Sequence, residues 1–113
     1  MKGLLIRFYM REDLHHQGRP AWEWLLQQAN AIGVRGGSVF KAVACFGKHH
    51  RVHEAKFFEL AGALGVEVQF VVTDSEATSL RSLLEREGVH VLYAQTAAEF
   101  GFTGIVGTEP KVD

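Results

Sequence analysis

The segment Phe46-Gly47-Lys48-His49-His50-Arg51-Val52-His53 gathers the side chains of this sequence best suited to bind a ligand. Three of the six histidines and two fixed positive charges fall between Lys48 and His53. At a strand end and behind a glycine, such a run suits an anion. Gly47 lets the backbone come close, and Lys48 and Arg51 supply the charge. Arg51 can also make a bidentate contact to a phosphate. His49, His50 and His53 would act as orienting donors that titrate near neutral pH. The plainer alternative is a solvated, charged loop tip.

A second cluster, His15-His16-Gln17-Gly18-Arg19-Pro20, stands just before an apolar periodic run. If that run is a helix, its free N–H groups and positive dipole end favour an anion there. His15, His16 and Arg19 would strengthen that field; otherwise they simply dress a loop. The histidine content also allows a metal reading, with zinc or copper as the ion. His49 and His53 have an i, i+4 spacing that chelates only if the segment is helical. No cysteine or carboxylate joins them in a familiar ligand pattern. Enzyme signatures are absent: there is no GxSxG, no Walker-type Gly-Lys-Ser/Thr and no HExxH. A non-enzymatic binding protein is the expectation.

Elements of regular structure must hold these clusters in place. Gly3–Tyr9 alternates as a strand, with Leu4, Ile6 and Phe8 on one face. Pro20 is well placed to open a helix that runs to about Ile32, with Trp22, Leu25, Leu26, Ala29 and Ile32 as its buried stripe and Gly33 as its stop. Trp24 projects away from that stripe. It is expected either under a ligand, another subunit or the tail, or half-buried at the helix edge. Ser38–Phe46 reads as a second strand, and Glu54–Leu64 fits a helix or a short strand equally. Val66–Thr73 alternates clearly. Asp74 or Ser75 is the expected N-cap of a helix that ends at about Glu87 before Gly88. Val89–Gln95 reads as the last strand. Residues 1–96 then form one domain, and 97–113 an apolar, glycine-containing tail.

The order β-α-β-β-α-β predicts an α+β, ferredoxin-like fold: an antiparallel sheet with two helices on one face. The helix-free face would carry Leu5, Tyr9, Val43, Val71 and Leu92 or the complementary set, both largely apolar. A lone protomer would expose too large an apolar patch, so an oligomer of closed symmetry is expected. With 113 residues, 47% hydrophobic and 22% charged, the chain has the composition of a single globular domain. A formal net charge of −1 gives it no general attraction for nucleic acid. The single cysteine, Cys45, excludes an internal disulfide and reads as a buried core thiol. No run approaches the ~20 apolar residues of a membrane span, and the start is too short in apolar residues for a signal peptide. Membrane insertion is therefore not expected, and a reduced cytoplasmic setting is.

These residues carry a resemblance. Lys2-Gly3-Leu4-Leu5-Ile6-Arg7-Phe8-Tyr9, His15-His16-Gln17-Gly18-Arg19-Pro20, Glu23-Trp24-Leu25-Leu26, Gly37-Ser38-Val39-Phe40-Lys41 and Phe46–His53 follow one another as in the PII-like family known as domain of unknown function 190. The resemblance covers roughly residues 2–95, and the family resembles the nitrogen-regulatory PII proteins in fold. It implies a homotrimer with its sheets around the threefold axis and adenine nucleotides (ATP, ADP or AMP) or another small anion in clefts between subunits. It also implies a protein or transporter target contacted by the loop after the second strand. By position, Lys48, His49, His50, Arg51 and His53 would stand at the root of that loop. The chain departs from PII itself at Glu87-Gly88-Val89, where PII carries a glycine-rich phosphate-binding segment.

Overall fold

The computed structural model describes residues 1–46, 53–54 and 64–104. The elements are β1 (Lys2–Arg11), β2 (His15–His16), β3 (Arg19–Pro20), α1 (Ala21–Ala31), β4 (Gly37–Lys41), β5 (Ala44–Cys45), β6 (His53–Glu54), β7 (Gly65–Val72), α2 (Asp74–Arg86) and β8 (Leu92–Glu99). The main sheet has the order β4-β7-β1-β8 with every neighbouring pair antiparallel. Both helices bury residues against one face of it. This is a small α+β unit compatible with the expected ferredoxin-like architecture.

The core follows from alternation. On β7 every second residue, Val66, Val68, Phe70 and Val72, is buried, and these face Met10, Phe8, Ile6 and Leu4 of β1 in register. Ala21, Trp24, Leu25 and Ala29 of α1 and Ala77, Leu80 and Leu84 of α2 close over them. Phe8 meets the edge of Phe70 with ring centroids 6.3 Å apart. Each such side chain contributes roughly 1.5–3 kcal/mol by leaving water.

The helix ends obey local chemistry. Thr73, one residue before the expected caps, opens α2 with a reciprocal capping box: Thr73 Oγ1 accepts from the Glu76 N–H, and Glu76 accepts from the Thr73 N–H. Both helices finish on a left-handed glycine, Gly33 (φ 89°) and Gly88 (φ 71°). In each case the following residue bonds back five positions, Val34 to Ala29 and Val89 to Leu84.

Four expectations are corrected. Trp24 is fully buried, while Ile32, placed on the stripe, is half-exposed. The reason is a hairpin absent from the reading: β2 and β3 turn through Gln17 (φ 53°) and Gly18 (φ 78°), a pair of positive angles that matches strand twist, and His16 lands edge-on against the Trp24 ring, centroids 4.4 Å apart. The second strand is broken. Ala42 turns its N–H to Gly65 O, which ends the main-sheet strand at Lys41 and leaves Val43 largely exposed. The last strand is Leu92–Glu99 rather than Val89–Gln95, because Val89 and Val91 pack against the core as the chain leaves α2. Finally, the helix-free face is mixed. Leu5, Tyr9, Val71, Phe40 and Leu92 share it with Ser38, Gln69, Thr96 and an Arg7–Glu67 pair at 3.8 Å. The expectations for Glu54–Leu64 lie mostly outside the described residues, although Leu64 itself is buried. Among the described residues no helix is long and apolar enough to cross a membrane.

Candidate functional site

Both histidine clusters attach to one end of the sheet, where β1 finishes and β7 begins. Arg11, the last residue of β1, pairs with Gly65, the first of β7. Glu12 N–H bonds to Leu64 O at 2.8 Å, and the Glu12 carboxylate reaches Lys41 Nζ at 3.3 Å. From there the chain continues into the β2–β3 hairpin carrying His15, His16 and Arg19. The other hairpin is rooted at the same place. Gly65 N–H donates to Cys45 Sγ at 3.3 Å, and Cys45 pairs with His53 across β5 and β6. Cys45 is thus half-buried and engaged at a hairpin foot, not a core thiol. Gly47, Lys48, His49, His50 and Arg51 lie outside the described residues, as does the side chain of His53. Their segment leaves β5 and returns at β6, so its two ends are held together at Cys45 and His53.

The described members of the clusters differ in what they leave free. Arg11 holds Asp13 in a two-pronged contact, Nε to Oδ1 and Nη2 to Oδ2, both 2.8 Å. That contact keeps the Asp13 carboxyl below its ordinary range and raises Arg11 further. The exposed His15 ring meets the Asp13 carbonyl through Nδ1 at 2.7 Å. His16 is committed elsewhere: its Nε2 lies 2.9 Å from Glu87 Oε1, and Gln17 Nε2 donates to the same oxygen at 2.8 Å. Glu87 therefore already supplies the anion that His16 and Gln17 could receive. Arg19 is exposed and has no ion pair among the described residues. His15 and Arg19 remain available to a ligand, and His16 positions the hairpin.

Sequence reasoning missed a groove of about 360 Å³ at the opposite end of the sheet. Arg35, Ser38, Gln69, Phe100 and Phe102 line it. Arg35 lies over the Phe100 ring, 5.1 Å from its centroid, and its Nη2 donates to Glu76 Oε1 at 2.7 Å. Because Glu76 matches the Arg35 charge, this groove offers no net charge to an anion. The only sequence signal for it was the aromatic content of the tail. Among the described residues no three His, Cys, Asp or Glu side chains gather closely enough to hold a metal ion.

The family model DUF190, described as "Uncharacterized ACR", matches residues 3–96. A "UPF0166 protein" from Aquifex aeolicus is 34% identical over 90 residues, which covers 80% of this chain and 84% of that relative.

Proposed function

The chain belongs to the DUF190 family, and we propose that it is a PII-like regulatory protein. On this reading it is a cytoplasmic homotrimer that binds a small anionic metabolite or an adenine nucleotide (ATP, ADP or AMP) in clefts between subunits. It signals to a protein or transporter target through the segment after β4. Lys48 and Arg51 balance the ligand's negative charge, Gly47 gives close backbone access, and His49, His50, His53, His15 and Arg19 complete the donor set. His16 keeps its contact with Glu87 and sets the hairpin's position.

One observation carries the reading: the two basic hairpins spring from a single end of the sheet, around Arg11, Glu12, Gly65 and Cys45. Glu12 and Asp13, the acids of that junction, are already paired with Lys41 and Arg11. The exposed His15 and Arg19 therefore meet no competing carboxylate from Glu12 or Asp13. A ligand that binds one arrangement of the 46–53 segment better than another shifts its population, and a partner that reads the segment responds.

Calorimetric titration of ATP, ADP, AMP and cyclic AMP into the wild type and into Lys48→Ala/Arg51→Ala tests this. At least one nucleotide should bind the wild type and lose affinity tenfold or more in the double variant. If none of the four binds, the nucleotide form of the proposal fails. If one binds both proteins equally, the assignment of Lys48 and Arg51 fails.

A further inference from the structure

The contact at Glu87 has the form of a bound ligand made from the protein's own chain. An ionised carboxylate only accepts hydrogen bonds. Both His16 Nε2, at 2.9 Å, and Gln17 Nε2, at 2.8 Å, therefore donate to Glu87 Oε1. Two donors from consecutive residues meet at one oxygen. Neighbours along an extended strand point to opposite sides. Here Gln17 leaves the strand in a left-handed conformation (φ 53°), which bends the hairpin turn so that the two side chains converge.

Neither side of this contact depends on it for its own structure. α2 begins where β7 ends and runs back along the sheet, so Glu87 arrives at the end where both hairpins are rooted. The end of α2 is closed by backbone bonds, Glu87 N–H to Leu83 O and Val89 N–H to Leu84 O, which do not involve the Glu87 side chain. As the C-cap, Glu87 sits at the negative end of the helix dipole, where a carboxylate is disfavoured. Its side chain is 33% exposed against 19% for His16, so solvent reaches it readily. The hairpin has its own anchors: the Ala21 N–H on Leu14 O at 2.7 Å, and the His16 ring against Trp24. Arg19 stands directly across the ladder from His16, on the same face, exposed and without an ion pair among the described residues.

We propose that Glu87 is an internal competitor, which fills the His16–Gln17 donor pair at rest and gives way to an external oxyanion, a carboxylate or a phosphate, that Arg19 then helps to hold. This inference rests on the anion-binding reading above and adds its regulation. The Glu87 side chain swings into solvent while the hairpin stays on Trp24. Because the donors are free only part of the time, the apparent affinity is lowered by that fraction. The site therefore fills only above a threshold concentration of the anion.

Calorimetric titration of inorganic phosphate and, separately, of acetate, at one pH and one ionic strength, tests this. Glu87→Ala should bind at least one of the two about tenfold more tightly than the wild type. Glu85→Ala removes the same charge from the exposed end of α2 without touching the hairpin, and should change affinity by less than about twofold. Glu87→Ala/His16→Phe keeps a ring against Trp24 but loses a donor, and should cancel the gain. The probe that gains more identifies the group, phosphoryl or carboxylate. Equal binding by the wild type and Glu87→Ala, or none by either, overturns the proposal. So does an equal gain in Glu85→Ala, which would be charge removal alone, or a gain that survives His16→Phe. A red shift of tryptophan emission in Glu87→Ala would mean that Glu87 holds the hairpin down instead of competing within it, which also refutes the proposal. A nucleotide that binds the wild type through Lys48 and Arg51, with no gain in Glu87→Ala, refutes the competitor and leaves the anion-binding reading standing. A gain in Glu87→Ala without any nucleotide binding supports the competitor while the nucleotide form of that reading fails.

Discussion

Removing the Glu76 carboxylate should destabilise the protein well beyond the usual surface substitution. One oxygen, Oε1, accepts both the Thr73 N–H at 2.8 Å and Arg35 Nη2 at 2.7 Å. The Arg35 and Glu76 side chains are only 18% and 17% exposed, so solvent screens the pair weakly. Stranding the partner of a fully buried ion pair costs about 3–5 kcal/mol. Losing the acceptor of a buried backbone N–H adds about 1–3 kcal/mol. Allowing for the remaining exposure and for water reaching Thr73, Glu76→Ala should lose about 2–4 kcal/mol. For a domain of this size that is a fall of roughly 8–16 °C in melting temperature. Glu76→Gln keeps an acceptor for Thr73 and should lose about half as much, whereas Thr73→Ala should lose the ~1 kcal/mol of a helix cap. Urea denaturation at one fixed protein concentration measures all three, since assembly would otherwise shift the midpoints. An Arg35→Met/Glu76→Ala double-mutant cycle then isolates the pair, with an expected coupling of about 1 kcal/mol or more. Equal losses for Glu76→Ala and Thr73→Ala with no coupling to Arg35 would refute the argument, because the ion pair would then contribute nothing.

Two further outcomes follow from the same geometry. A methyl group at Gly3 would run into the Val72 carbonyl oxygen and the Phe100 ring, so Gly3→Ala should cost about 1–3 kcal/mol in denaturation, whereas Gly36→Ala, with open space around it, should be near neutral. Arg11 holds the Asp13 carboxyl below its ordinary range, so the stability this pair contributes is complete above the ordinary carboxylate pKa and is lost as pH falls through the lowered value. Because Asp13 is 40% exposed, Asp13→Asn should lose under about 1 kcal/mol near neutrality, and its stability curve should merge with that of the wild type in acid; a constant gap at all pH values would contradict this.

The elements that were legible in the sequence are those whose burial follows a single period. β7 alternates without a break, and α2 combines a helical stripe with a terminal glycine, so both stood close to their expected bounds. Trp24 misled because its burial depends on a hairpin of two-residue strands, too short and too polar to show alternation. Val43 continued the alternation of β4 in sequence, but the Ala42 backbone had already turned to Gly65. Ala97, Ala98 and Glu99 are weak strand formers, and only pairing with Leu4, Gly3 and Lys2 makes them one. In the candidate site the histidines themselves were visible. The role of His16 was not, because its partner Glu87 stands 71 residues away.

The central position of β1 bears on how the molecule is made. β1 precedes every strand it bonds, and its partners lie 54 to 97 residues later, from Arg11–Gly65 to Lys2–Glu99. A ribosome therefore releases this apolar ribbon long before anything can zip to either side of it. Early condensation must fall to α1 and its neighbouring turn, and closure must wait until residue 99 emerges. Such distant pairings fold slowly, so the nascent chain has a long interval in which a chaperone can intervene.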